Sequence, residues 1–150
     1  MKAYETLRKE AAMVFRTEAD WGDQATLQGL VFTDSALREG LRRNPLQIRG
    51  LLREVMPASG ITLPDGNRIP QGTWIAVPFQ SIHMDERFYP NADQFDPFRF
   101  AKVRAEGDRL DSTQTSETYL AFSYGRHSWS VSSWLAILVL KPLCLRQNIA

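Results

Sequence analysis

Ile82-His-Met-Asp-Glu-Arg-Phe-Tyr-Pro-Asn-Ala-Asp-Gln-Phe-Asp-Pro-Phe-Arg-Phe100 is the stretch on which the fold turns. From Asp85 onward it holds Pro90, Pro97 and five aromatic residues. Each proline lacks an amide N–H and fixes φ, so no regular ladder runs through it. Five aromatics are too much apolar surface for a solvated loop. The stretch therefore reads as irregular backbone anchored by its rings. Arg99 stands between Phe98 and Phe100, directly after Pro97. Two readings are open for it: an exposed arginine beside an aromatic anchor, or a guanidinium carried into the interior by that anchor.

Working outward, Phe79 to Met84 reads as one or two helical turns. Thr73-Trp-Ile-Ala-Val77 reads as a buried strand ended by Pro78. Ile61-Thr-Leu63 and Arg68-Ile69 flank Pro64-Asp-Gly-Asn67, a turn with proline and glycine in suitable places. Further back, Ser35 to Arg43 reads as a helix stopped by Asn44-Pro45, since the residue before proline is pushed out of the helical region. Thr33, Asp34 or Ser35 is the expected cap, each having a side-chain oxygen for a free amide. Tyr4, Leu7, Ala11 and Val14 recur at helical spacing and predict an amphipathic helix over about the first 18 residues. Glu18 to Gln24 reads as a turn. On the other side, Ala101 to Thr118 is polar and reads as an exposed loop.

The composition bounds the function. The 150 residues are 43% hydrophobic, which excludes a disordered chain. With 18 basic and 17 acidic side chains the net charge is +1, and no basic stripe marks a nucleic-acid partner. One cysteine, Cys144, excludes an internal disulfide and a multi-cysteine metal site. The first ten residues are too polar for a signal peptide. The chain also has a seam. All 17 acids and all nine glycines precede Trp129, while 14 of the 22 residues from Trp129 to Ala150 are apolar. The tail's apolar run, Trp134 to Leu140, is far shorter than the ~20 residues a transmembrane helix needs, so no transmembrane segment is expected. The chain divides into 1–128 and 129–150.

Three motifs hold the candidate chemistry. Glu39 and Arg42 lie three apart on the expected helix and share a face. They are either a surface ion pair or a buried pair that joins a third partner, a role suited to the planar guanidinium fork. Arg99 is the candidate third partner. In Phe122-Ser-Tyr-Gly-Arg-His-Ser128, Gly125 permits a tight turn beside Arg126 and His127. That segment is either a plain polar loop or a set of donors for a carboxylate or phosphate.

Taken in order, Glu39-x-x-Arg42, Phe95-Asp-Pro-Phe-Arg-Phe100 and Phe122-x-x-Gly125-Arg-His127 resemble the C-terminal part of a cytochrome P-450. The 82–100 stretch and Asp65-Gly-Asn-Arg-Ile-Pro-Gln-Gly-Thr73 resemble the family's fungal branches. The resemblance covers about residues 20–128. It implies a mixed α+β, mainly helical architecture: the C-terminal part of the cytochrome P-450 fold, incomplete, with helices and a small β-sheet. It implies haem held through a cysteine thiolate, which favours O–O cleavage. It also implies oxidation of a small organic substrate, with electrons from a reductase. Glu39, Arg42 and Arg99 then form a structural triad near the proximal haem face. Arg53, Arg126 and His127 are the cofactor-binding residues, facing haem propionates, and Pro57 to Ile61 line the substrate side. Full-length fungal relatives sit on the endoplasmic reticulum through an N-terminal helix that Met1 falls after, along with the long central helix and most of the distal pocket.

The resemblance ends at one position. The family's cysteine belongs at 129, where this chain has Trp129, and the Pro-Gly that follows is absent too. Indole offers only an N–H donor and no anionic ligand. Cys144 stands 15 residues further on in an unmatched context. Codons exist for Ser130 to Ala136 that, read two bases further on, encode Arg-Phe-Leu-Val-Ala, similar to the family's next helix start. The expectation is a shift of reading frame, or an unspliced intron, near codon 129, and a chain without monooxygenase activity of its own. The remaining alternatives are a non-catalytic fragment acting through a protein partner, and the product of a decayed or misannotated gene.

Overall fold

A computed structural model describes residues 2–17, 19–20, 23–105 and 112–128. Trp129, Cys144 and the whole 129–150 tail, with the expectations attached to them, lie outside the described residues.

Among the described residues five α-helices and two small sheets follow in the order α1 (Lys2–Val14), α2 (Gln24–Leu27), α3 (Val31–Arg43), β1 (Gly50–Glu54), β2 (Ile61–Thr62), β3 (Arg68–Ile69), β4 (Trp74–Val77), α4 (Phe79–His83) and α5 (Arg99–Ala105). The central element is α3, which packs against α1, α4 and α5. It starts at Val31, four residues before the expected start at Ser35, and no side chain of its own caps it. The cap comes from α1. The buried carboxylate of Glu10 accepts the amides of Phe32 and Thr33 at 2.7 Å each, and the Thr33 hydroxyl at 2.6 Å. A carboxylate at a helix N-terminus satisfies orphan amides and suits the helix dipole. The residues read as local caps serve other segments. Ser35 Oγ accepts the amides of Phe100 and Ala101 at the start of α5. Asp34 accepts the Ser112 amide through both oxygens.

The hairpin β2–β3 pairs Ile61 with Ile69 and Thr62 with Arg68, across the expected turn. Asp65 Oδ1 accepts the Asn67 amide there. Gly60 precedes the hairpin at φ +71, where a Cβ would stand 2.4 Å from the Ile69 carbonyl oxygen, so only glycine fits. The second sheet pairs β4 antiparallel with β1. The strand β1 has no alternating pattern and escapes the sequence reading. A bulge lies between Gly50 and Arg53, with Leu51 at φ +52.

Two expectations need correcting. The 73–77 strand exists but is not buried: Trp74 is 65% exposed and Ile75 and Val77 are half-buried. Segment 101–118 is not an exposed loop throughout. It opens inside α5, and Ala101 and Ser112 are buried. Within it the Ala101 amide is held by Ser35 and the Ser112 amide by Asp34. The core itself sits where α3 meets the aromatic segments, with Tyr89, Ala92 and Phe100 in one cluster and Tyr119, Ala121 and Phe122 in another.

Candidate functional site

The structure brings Glu39, Arg42 and Arg99 together. Spacing of three along α3 stacks Glu39 and Arg42 on one face, and both are fully buried. Arg42 grips the carboxylate with two parallel bonds, Nε to Oε2 at 2.8 Å and Nη2 to Oε1 at 2.9 Å. Arg99 Nε donates to the same Oε2 at 3.1 Å, and the Asp96 amide donates to Oε1 at 3.2 Å. Four donors thus converge on one carboxylate, and the buried negative charge faces two positive ones. Such a pair is retained only when every donor and acceptor is matched, because desolvation of each ion costs several kcal/mol.

The remaining donors fix the backbone of the 82–100 stretch. Arg42 reaches the carbonyl of Ala92 at 2.8 Å and that of His83 at 2.5 Å, with Met84 Sδ at 3.8 Å. Arg99 reaches the carbonyls of Pro90, Asn91 and Gln94 at 2.6 to 3.2 Å. Asn91 presents its carbonyl from a left-handed conformation, φ +53, which asparagine tolerates better than most residues. The irregular stretch is therefore held by guanidinium forks in place of a ladder. Of the two readings of Arg99, the second describes the geometry: the adjacent Phe100 is buried and the Arg99 head group joins the buried Glu39 carboxylate, while Phe98 is half-buried and 14% of the Arg99 side chain stays exposed.

Arg38, one turn before Arg42, is also buried. Its guanidinium lies 3.8 Å from the Tyr119 ring centre and 4.9 Å from that of Phe100, and Nη1 donates to the Gln114 carbonyl. Burial pushes the Tyr119 hydroxyl well above the usual phenol range. His83 is fully buried at the end of α4 and bonds on both ring nitrogens. Burial lowers its imidazole to about 4, against the raising effect of the Arg42 carbonyl and with help from the Arg42 and Arg38 charges. Neither Arg38 nor His83 was singled out in the sequence. Arg38 carried a signal, since it lies one turn from Arg42 on the same helix. His83 carried none, because its partners are 37 and 41 residues away.

The other candidates are not brought into this cluster. Arg53 sits on β1, exposed, and donates only to the neighbouring Leu52 carbonyl. Arg126 is exposed in a single 3-10 turn, Gly125–His127, entered through Gly125 at φ +78. The His127 side chain lies outside the described residues. Among the described residues no ion pair links Arg53 or Arg126 to a carboxylate.

An α-helix locked by a buried carboxylate to an irregular aromatic segment, beside small antiparallel sheets, defines a fold shared with solved cytochrome P450 structures. The retinoic acid bound cyanobacterial CYP120A1 superposes with a TM-score of 0.68 at 23% identity, over 97% of this chain and 30% of that one. A zebrafish cytochrome P450 solved with progesterone superposes with a TM-score of 0.70 at 21% identity, over 95% of this chain and 31% of that one. The Cytochrome P450 family model matches residues 2–128, and this chain belongs to that family. Its fungal relatives include cytochrome P450 monooxygenase polB of Polytolypa hystricis, 47% identical over 92% of this chain and 28% of that protein. Another is efuH of Hormonema carpetanum, 41% identical over 95% of this chain and 27% of that protein. The chain spans under a third of the length of these relatives. The family model stops at Ser128, whereas these pairwise alignments cover more of the chain than residues 2–128 and so run into the tail.

The family's cofactor is haem, and the side chains of this chain fit one part of it. Arg53 and Arg126 are exposed guanidiniums with no ion-pair partner among the described residues, the donor type that would suit a propionate. The iron is another matter. Position 129, where the resemblance puts the family's thiolate, is Trp, whose indole offers only an N–H donor. Both ring nitrogens of His83 are already engaged. Among the described residues no group of three His, Cys, Asp or Glu side chains converges. Among the described residues no donor set fits haem-thiolate ligation. Among the described residues no helix is long and apolar enough to cross a membrane.

Proposed function

We propose that this chain is the haem-proximal scaffold of a fungal cytochrome P450 monooxygenase of secondary metabolism, and that with Trp129 at the ligand position it does not activate oxygen itself. The observation that carries the reading is the Glu39 carboxylate with its four donors, which fixes the 82–100 segment against α3. In this reading Glu39, Arg42 and Arg99 are structural residues that never touch substrate. Arg53, Arg126 and His127 are the propionate partners, and Pro57 to Ile61 border the substrate side. The whole protein oxidises a small organic substrate with dioxygen and takes its electrons from a reductase. Loss of activity in this chain follows from the indole at 129, which provides no anionic ligand. The test is to mix the purified chain with haemin, reduce it and add carbon monoxide. No thiolate-type Soret band is expected; its appearance would overturn the inactive reading.

A second reading concerns the gene. The family model ends one residue before Trp129. The codons available for Ser130 to Ala136 also accommodate Arg-Phe-Leu-Val-Ala two bases on. We propose a change of reading frame, or a retained intron, at this point. Sequencing the transcript decides it: no Cys-Pro-Gly in any nearby frame or splice form would sink the idea.

A further inference from the structure

We propose that His83 is a positioning residue that transmits the geometry of the Glu39–Arg42–Arg99 triad to the Phe122–Ser128 loop. The proposal rests on the reading of that loop as haem-proximal. Its geometry is chemically unambiguous. The Leu120 amide lies 2.7 Å from Nε2, and an amide only donates, so Nε2 is the acceptor. Nδ1 lies 3.0 Å from the Arg42 carbonyl, which only accepts, so Nδ1 carries the proton. The imidazole is thereby fixed as one neutral tautomer between two backbones.

The coupling is reciprocal at one end. Arg42 donates its guanidinium to the His83 carbonyl while its own carbonyl accepts from the His83 ring. At the other end the chain enters a buried run, Tyr119 to Phe122, that leads straight to Gly125. The Tyr119 ring stacks on the imidazole, with 5.6 Å between centres and 21° between planes. Arg42 therefore holds Glu39 with its side chain and, through the His83 ring, the entry to the loop with its backbone. Among the described residues no other side chain accepts the Leu120 amide.

The experiment needs no haem, so it stands apart from the haemin test. Nitrogen-detected NMR of the full chain should show His83 protonated at Nδ1 and bare at Nε2. Amide exchange at Leu120 should speed up roughly tenfold in His83→Leu, the size expected for one lost buried hydrogen bond. The Gly125 and Ser128 amides should speed up with it. His83→Gln keeps an acceptor at the reach of Nε2 and should restore slow exchange at Leu120. A purely space-filling role would make Leu, not Gln, the better substitute. If His83→Leu fails to fold, the wild-type tautomer and the His83→Gln exchange rates still decide. A ring protonated at Nε2, or faster Leu120 exchange in His83→Gln than in His83→Leu, would overturn the proposal.

Discussion

The end of α3 and the β1–β4 sheet solve opposite problems. Around α3, charged groups are buried and nearly every polar atom is matched: Glu39, Arg42, Arg38 and His83 are at most 2% exposed. On the sheet side, apolar side chains face out. Leu52, Met56 and Trp74 are each more than half exposed, as are Leu46 and Ile48 just before β1. Inside-out patterning of this kind shows which region is complete in itself. The α3 region is closed by hydrogen bonds made within residues 10–120. The sheet carries Arg53, read as a propionate contact, and the loop that leaves β1 and leads into β2 carries Pro57 to Ile61, read as the substrate side.

Four measurements sharpen the contrast, taken from the largest expected effect downward. Removing the central carboxylate, Glu39→Ala, strands Arg42 and part of Arg99 in the interior. A loss of about 3–5 kcal/mol is expected, read as a lower urea midpoint at constant slope. A shift under 1 kcal/mol would mean that the α3 region is far wetter than its geometry implies.

Acid should weaken the same region and spare the sheet. The folded His83 titrates at about 4 instead of 6.5, so between those values the unfolded chain binds more protons than the folded one. His83 therefore contributes fully above about pH 6.5, and its contribution falls away as the pH drops towards 4. The total is roughly 3 kcal/mol at 1.36 kcal/mol per unit. Urea titrations at several pH values check this, and His83→Gln should flatten that part of the profile.

Third is the cap borrowed from α1. Glu10→Ala leaves the Phe32 and Thr33 amides without their acceptor and should cost about 1–2 kcal/mol. Increased amide exchange confined to the first turn of α3 would locate the loss. The smallest effect belongs to the sheet. Trp74→Thr removes an exposed ring and should change stability by no more than about 0.5 kcal/mol, while reducing self-association in sedimentation. A loss of several kcal/mol would show that Trp74 is covered after all.

The amino-acid sequence carried more of this protein than its ordinary composition suggests. The spacing of Glu39 and Arg42, the aromatic frame of Arg99 and the turn at Pro64–Asn67 depend on residues close in the chain, and such patterns survive in one dimension. That position 129 is Trp is likewise a matter of residue identity alone. What tertiary structure decided was the use of polar groups across long separations. Ser35 and Asp34 looked like caps for their own helix and instead hold residues 65 to 78 positions away. Glu10, an unremarked acid on the amphipathic helix α1, became the cap of α3. His83 became the link between the triad and the loop. A hydrogen bond needs a partner within about 3 Å and a direction, and neither is written in the order of residues. Local spacing therefore marked the β2–β3 turn, most of α3 and the two triad members on it, while β1, α5 and the closing partners waited for the fold.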